Sequence, residues 1–329
     1  MRAWQTFGDG RLQPVDLPVP EPVRGKLLVH VEACGVCRTD LHVIAGELPQ
    51  HRSPVVPGHE IVGVVVGSGG ETGDIGIGDR VGVPWLRSTC GSCRWCRSGR
   101  ENLCRMSRYT GWDVDGGYAE YAVAPAAYVY PLPAELDPVQ AAPLLCAGII
   151  GYRALKRAAV PPGGRLGIFG FGASAHLTAQ LALASGAELH VVTRGEEARH
   201  LATALGAASV GPPGSAVPPL DSAIVFAPAG EVVAEALGAV GPSGTVSVAG
   251  IHVSQIPALD YRRQLFDERT LTSVTSNTRA DGAELLQLAD RLGLRAHVTR
   301  YPMASADQAV ADLAADRVRG VAVLTAYGS

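Results

Sequence analysis

Short β-branched runs at 27–33, 60–66 and 80–84 are each bounded by Gly, Pro or Asp. They predict strands and make residues 1 to about 148 β-rich. From about 150 the pattern changes. Apolar stretches at 165–169, 188–193, 221–226, 244–249 and 270–274 alternate with Ala/Leu-rich stretches at 173–184, 197–205 and 231–237. Buried strands separated by helices are the pattern of a parallel α/β sheet. The run 211–219 (Gly-Pro-Pro-Gly-Ser-Ala-Val-Pro-Pro) is predicted to be a surface loop, because proline has no amide donor for a helix or central strand. Beyond 276 the pattern predicts helices at 282–292 and 306–314 and a closing strand at 321–325, which is expected to rejoin the first domain.

Composition narrows the class. At 329 residues the chain has room for two domains with their own cores. A hydrophobic fraction of 47% and a formal charge of -3 describe an ordinary globular protein, and no nucleic-acid partner is expected. Forty glycines point to many tight turns and to backbone lying close to ligands. The N-terminal residues lack the apolar core of a signal peptide, and the longest apolar stretch, around 141–151, is interrupted and too short to span a bilayer. A cytoplasmic protein without a membrane partner is therefore expected. Seven cysteines, an odd number, then favour metal binding over disulfides.

The densest chemistry is a run containing Cys90, Cys93, Cys96 and Cys104, spaced by two, two and seven residues. Four buried core thiols would not cluster among Arg94, Trp95, Arg97 and Ser98. An iron–sulfur cluster is the sharper rival, but the bacterial ferredoxin run closes with a three-residue gap and Cys-Pro, whereas Cys104 follows seven residues and precedes Arg105. Four thiolates close a zinc tetrahedron, so the lobe at about 88–106 is expected to hold a structural zinc. Elsewhere Cys34 and Cys37 form a CxxC that alone could be a redox pair, though no thioredoxin-like pattern surrounds it. His59, between Gly58 and Glu60, and Cys146, in an apolar stretch, would each by itself read as a structural hydrogen-bonding group and a core thiol.

In combination these residues read differently. Cys34-Gly-Val-Cys37-Arg38-Thr39-Asp40-Leu-His42, Pro57-Gly-His59-Glu60-Ile-Val-Gly63, Gly78-Asp-Arg-Val-Gly82, the four-cysteine lobe, Asp115-Gly-Gly-Tyr118-Ala-Glu-Tyr121 and Leu145-Cys146-Ala-Gly148 occur in this order. Along essentially its whole length the chain resembles the zinc-containing medium-chain alcohol dehydrogenases. The resemblance implies that Cys37, His59 and Cys146 hold a catalytic zinc, giving two zinc ions per subunit, and that Cys34 is a spare thiol packed in the core. It implies that Glu60 is a carboxylate next to the metal and that Asp40 orients the histidine ligand. Thr39 and His42 match relay positions, where a hydroxyl passes the substrate proton to the nicotinamide ribose and a surface imidazole releases it. It also implies a GroES-like β-rich catalytic domain (1–148 and 277–329) split around a Rossmann domain (149–276), with the catalytic zinc in the cleft between them.

The nucleotide half carries its own signal. Gly170-Phe-Gly172-Ala173-Ser-Ala175 follows a predicted strand and opens a predicted helix, fitting Gly-x-Gly-x-x-Ala. The first glycine allows the turn, the second lets a pyrophosphate approach, and the helix N-terminus faces the negative charge. At the end of the second strand, where the family's NAD-specific members place an acid, this chain has Thr193 followed by Arg194. A hydroxyl and a guanidinium suit a 2′-phosphate that a carboxylate would repel, so NADP(H) is expected ahead of NAD(H), with Arg199 as a helper. By resemblance, Arg38 and Arg279 lie near the cofactor phosphates.

Trp85, Trp112 and Leu48 are expected to line the substrate pocket, with Leu48 where simpler relatives often carry Trp. An apolar pocket suits a broad range of small alcohols and aldehydes. The expected activity is hydride transfer between a primary or secondary alcohol (or its aldehyde or ketone) and NADP(H). The alternatives are an enone or quinone reductase of the same fold, against which retention of all seven ligands counts, and a catalytically silent NADPH- or zinc-binding protein. A homo-oligomer, dimer or tetramer, is expected, with the strand near 270–274 as the pairing edge.

Overall fold

The computed structural model describes residues 1–49 and 51–327. The chain forms two compact units: Met1–Cys146 with Thr278–Glu284 and Arg295–Ser329, and Ala147–Asn277 with Leu285–Leu294. Residues 285–294, assigned to the first domain from the sequence, thus pack with the second unit.

The first unit is built on a seven-stranded sheet. Its main path runs Val298–Pro302, Val321–Thr325, Lys26–Val36, Glu60–Ser68, Arg80–Val83 and Tyr130–Pro131. The long strand Lys26–Val36 organises it. One edge pairs antiparallel with Glu60–Ser68. The other edge is shared: its first half pairs with Tyr121–Pro125 and its last four residues with Val321–Thr325. The C-terminal strand therefore supports the chain immediately before Cys37. Leu27, Val29, Val31, Val36, Ile61, Val65, Tyr118 and Leu324 meet in the core of this unit. The strand Val298–Pro302 was not foreseen; it lies at the sheet margin, where a Thr-Arg-Tyr sequence needs only one paired edge.

The second unit is a six-stranded sheet in the order Ser209–Gly211, Glu188–Val192, Arg165–Phe169, Leu220–Val225, Val240–Val248, Thr270–Ser273, parallel throughout. Numbered along the chain this order is 3-2-1-4-5-6, the doubly wound arrangement that binds dinucleotides at the carboxyl ends of its central strands. Its two faces are buried separately. Leu166, Ile168, Leu189, Val191 and Ile224 pack one way with Ala175 and Ala179 of the helix Ala173–Ala184. Phe169, Val192, Ala223, Val225 and Val246 pack the other way with Val233 and Leu237 of the helix Gly230–Ala239. The fifth strand begins four residues before the predicted 244. Val240 already pairs with Leu220, and a register shift between Leu220 and Ser222 separates that contact from the regular ladder. The predicted loop at 211–219 carries no helix or strand after Gly211, which ends the short strand Ser209–Gly211. Among the described residues no helix is long and apolar enough to cross a membrane.

Candidate metal and nucleotide sites

Three separate elements bring Cys37, His59 and Cys146 together. Cys37 follows the long strand directly and caps the helix Arg38–Ile44. His59 enters the strand Glu60–Ser68 from Gly58, whose φ of +94° and close approach to the Tyr118 ring leave no room for a side chain. Cys146 follows the 3-10 turn Ala142–Leu145. The two sulfurs are 3.9 Å apart, and one ligand atom from each of Cys37, His59, Glu60 and Cys146 lies within 4.8 Å of the others. Tetrahedral bonds of about 2.3 Å place ligand atoms roughly 3.8 Å apart, so the spacing suits a zinc ion. His59 is fully buried. Its Nδ1–H donates to Asp40 Oδ1 at 3.0 Å, and its Nε2 has no hydrogen-bond partner. A buried lone pair with no donor is costly unless something binds it, and a metal ion meets that need.

The groups around this point also shift one another's proton affinities. The hydrogen bond from Cys146 holds Cys37 well below the usual thiol value, against burial, with help from His59. Cys146 is correspondingly pushed up by Cys37 and by burial. Burial alone would lower His59, but Asp40 and Cys37 more than offset it and raise its pKa well above the ordinary value. Cys34, by contrast, is fully buried, bonds to the Gly35 carbonyl and is raised by burial, as an inert core thiol should be.

The other residues singled out from the sequence surround this point or stand apart from it. Thr39 is buried with Oγ1 3.7 Å from Cys37 Sγ. His42 is one turn further, its Nδ1 2.5 Å from Glu47 Oε2. Asp40 is fully buried and accepts from the Cys37 amide as well as from His59. Trp85 meets the His59 ring edge-on at 4.7 Å and stacks on Tyr109 at 4.8 Å and Trp112 at 5.9 Å. Trp112 in turn stacks on His51 and donates from Nε1 to the Pro49 carbonyl beside half-buried Leu48. Tyr109 and His51 were missed by sequence reasoning, which had no motif to mark them. Arg38 pairs with Asp316. Arg279 is committed within the first unit, to Glu101, the Ala127 carbonyl and the face of Tyr128.

In the lobe, Cys90 lies 3.9 Å from Cys96 and 3.6 Å from Cys104, and Cys93 lies 3.5 Å from Cys96, again the edges of a zinc tetrahedron. Backbone amides of Cys93, Cys90 and Met106 donate to these sulfurs. Amides of Ser92 and Cys93 and the Ser92 hydroxyl bring Cys90 down to about 6, while burial lifts Cys104 to about 11.

In the second unit, Gly170 turns with φ of +88°, and a side chain there would strike the Ala227 amide. Gly172 precedes the first turn of Ala173–Ala184, and a Cβ built on it meets nothing within 4 Å. The turn thus leaves space beside amides that have no partner within their own helix, a fit to a pyrophosphate. Thr193 is buried at the end of the second strand and Arg194 is exposed. Arg199 Nη1 donates to the carbonyls of both.

Residues 23–134 match the alcohol dehydrogenase GroES-like domain. The chain is 53% identical to the probable alcohol dehydrogenase AdhA of Mycobacterium tuberculosis, across 98% of this chain and 97% of that protein. This chain belongs to the zinc-containing medium-chain alcohol dehydrogenase family. Solved members of the family have the same fold. A cinnamyl alcohol dehydrogenase of Sorghum bicolor superposes with a TM-score of 0.90 at 28% identity, over 98% of this chain and 97% of that one. A cobalt- and zinc-bound thermostable alcohol dehydrogenase of Pyrobaculum aerophilum gives 0.89 at 28% identity, over 99% of both chains. The β-rich first unit and the parallel sheet of the second are the GroES-like and doubly wound parts of this fold.

Proposed function

We propose that this protein is a zinc-dependent alcohol dehydrogenase or aldehyde reductase, moving hydride between a primary or secondary alcohol and a nicotinamide, with NADP(H) preferred. The observation that carries this reading is the convergence of Cys37, Cys146 and the orphaned His59 Nε2 on one point. Cys37, His59 and Cys146 would hold the catalytic zinc, and Cys90, Cys93, Cys96 and Cys104 the structural one. When bound, the catalytic ion acidifies an alcohol hydroxyl and polarises a carbonyl, and the nicotinamide exchanges the hydride.

The chain's own residues do the rest. Asp40 fixes the His59 tautomer, so that Nε2 keeps its lone pair. Thr39 Oγ1 receives the substrate proton in a buried position, and the His42 imidazole, one-fifth exposed, releases it to water. Trp85, Trp112 and Leu48 form an apolar wall. Gly170, Gly172 and Ala173 admit the pyrophosphate, and Thr193 with Arg194 select the 2′-phosphate. The edge strand Thr270–Ser273 supports pairing of two copies into a homo-oligomer. Thiol ligands of this kind need a reducing compartment, which supports a cytoplasmic setting.

A panel of alcohols and aldehydes with NADPH and NADH, with zinc counted per subunit, tests the reading. The expected result is two zinc ions and turnover with NADPH favoured. Cys37→Ala is expected to retain one zinc and lose about a thousandfold in kcat/KM, the several kcal/mol a Lewis acid contributes. An active variant, or no nicotinamide-linked turnover across the panel, would overturn it.

A further inference from the structure

Asp40 is fully buried, and four donors converge on its carboxylate. Oδ1 accepts from the Gly58 amide at 3.2 Å and from His59 Nδ1 at 3.0 Å. Oδ2 accepts from the Cys37 amide at 2.8 Å and from the Tyr118 hydroxyl at 3.1 Å. Three of these donors sit on Cys37, on His59 or on the residue before it. The fourth comes from a separate segment, and its side chain has no accessible surface. Tyr118 grips the same loop in two more ways. The amides of Gly117 and Tyr118 donate to the carbonyls of Gly58 and Pro57. The ring fills the space where a Gly58 side chain would stand, with Cδ1 2.4 Å from the built Cβ position.

We infer that Tyr118 is a positioning residue for the three-ligand metal site, acting through Asp40. The inference rests on the metal reading given above. A carboxylate can rotate about its Cβ–Cγ bond. Two donors on each oxygen stop that rotation and hold Oδ1 in the direction that aims His59 Nε2 at the site. Removing the hydroxyl leaves a buried lone pair on Oδ2 without a donor, and such a group turns toward whatever donor it can reach. The His59 ring then loses its fixed bearing. Outer partners of metal-bound histidines typically contribute about 10- to 100-fold in metal affinity, and Tyr118 is assigned the lower part of that range.

Tyr118→Phe keeps the ring against Gly58 and deletes only the hydroxyl. Zinc release from the loaded enzyme to a chromogenic chelator gives the first readout, with the four-cysteine zinc as internal reference and the Cys37→Ala protein identifying which phase is which. The variant should lose the three-ligand zinc about tenfold faster than wild type, with the four-cysteine phase unmoved. The visible d–d absorption of the cobalt-substituted protein gives the second readout, and its band should shift. Release at the wild-type rate or slower, or an unshifted cobalt band, overturns the role of Tyr118. If the wild-type protein itself shows only the four-cysteine phase, the metal reading fails instead. Should Tyr118→Phe not fold, replacing Tyr118 by 3-fluorotyrosine keeps shape and hydroxyl while strengthening the donor. An unshifted cobalt band in that protein then overturns the inference alone.

Discussion

Arg194 and Arg199 stand close in the chain but differ in role. Arg199 spends its Nη1 on the carbonyls of Thr193 and Arg194, which leaves Arg194 as the exposed guanidinium beside the buried Thr193. Thr193→Asp places a carboxylate where ribose hydroxyls are usually bound and a 2′-phosphate is repelled. The ratio of kcat/KM with NADPH to that with NADH is expected to fall about tenfold or more, the effect of one charge-assisted contact of about 1.4 kcal/mol. A ratio that does not move would separate Thr193 from cofactor choice. At this scale the sequence was legible only in part. Cys37 and Cys146 are 109 positions apart, and only a family resemblance joined them; Asp40 and Tyr118, 78 apart, were not joined at all. A hydrogen bond between distant side chains leaves no periodicity to read.

Among the elements, the lobe around Cys90 to Cys104 is the one expected to depend on a bound ion for its fold. Its α-helix, Arg94–Arg97, is four residues long and has no buried residue, and the 3-10 turn Glu101–Leu103 buries only Glu101 and Asn102. Four thiolates around a dication leave a charge of about −2. Arg94, Arg97, Arg100, Arg105 and Arg108 stand ready to offset it, two of them over the Trp95 ring. Stripping zinc with a chelator is expected to open this segment to trypsin at those arginines, while the zinc-loaded protein stays intact there, as gel bands and mass spectrometry would show. Protection after complete zinc loss would mean the segment folds unaided. Element boundaries were most legible where burial is two-sided. Arg165–Phe169 and Ala173–Ala184 occur where the pattern put them, because a strand apolar from its second residue, a glycine turn and an Ala-rich helix each speak plainly. Val298–Pro302 escaped because a marginal strand is half solvated and its sequence is mixed.

For the molecule as a whole, the first unit is made from both ends of the chain. Leu324 is fully buried in its core, opposite Cys34 on the long strand. Leu324→Asp replaces a core side chain with an unpaired acid and is expected to lower unfolding free energy by about 4 kcal/mol or more, read by chemical denaturation. A loss under about 1 kcal/mol would show that the closing strand is dispensable. The same arrangement governs the order of events on the ribosome. The edge of residues 33–36 receives its partner about 285 residues after it emerges. At ordinary synthesis rates that interval is on the order of tens of seconds. Throughout it, the backbone leading to Cys37 lacks its partner along that edge, so the proposed three-ligand site would be fully supported only after Val321–Thr325 has been made.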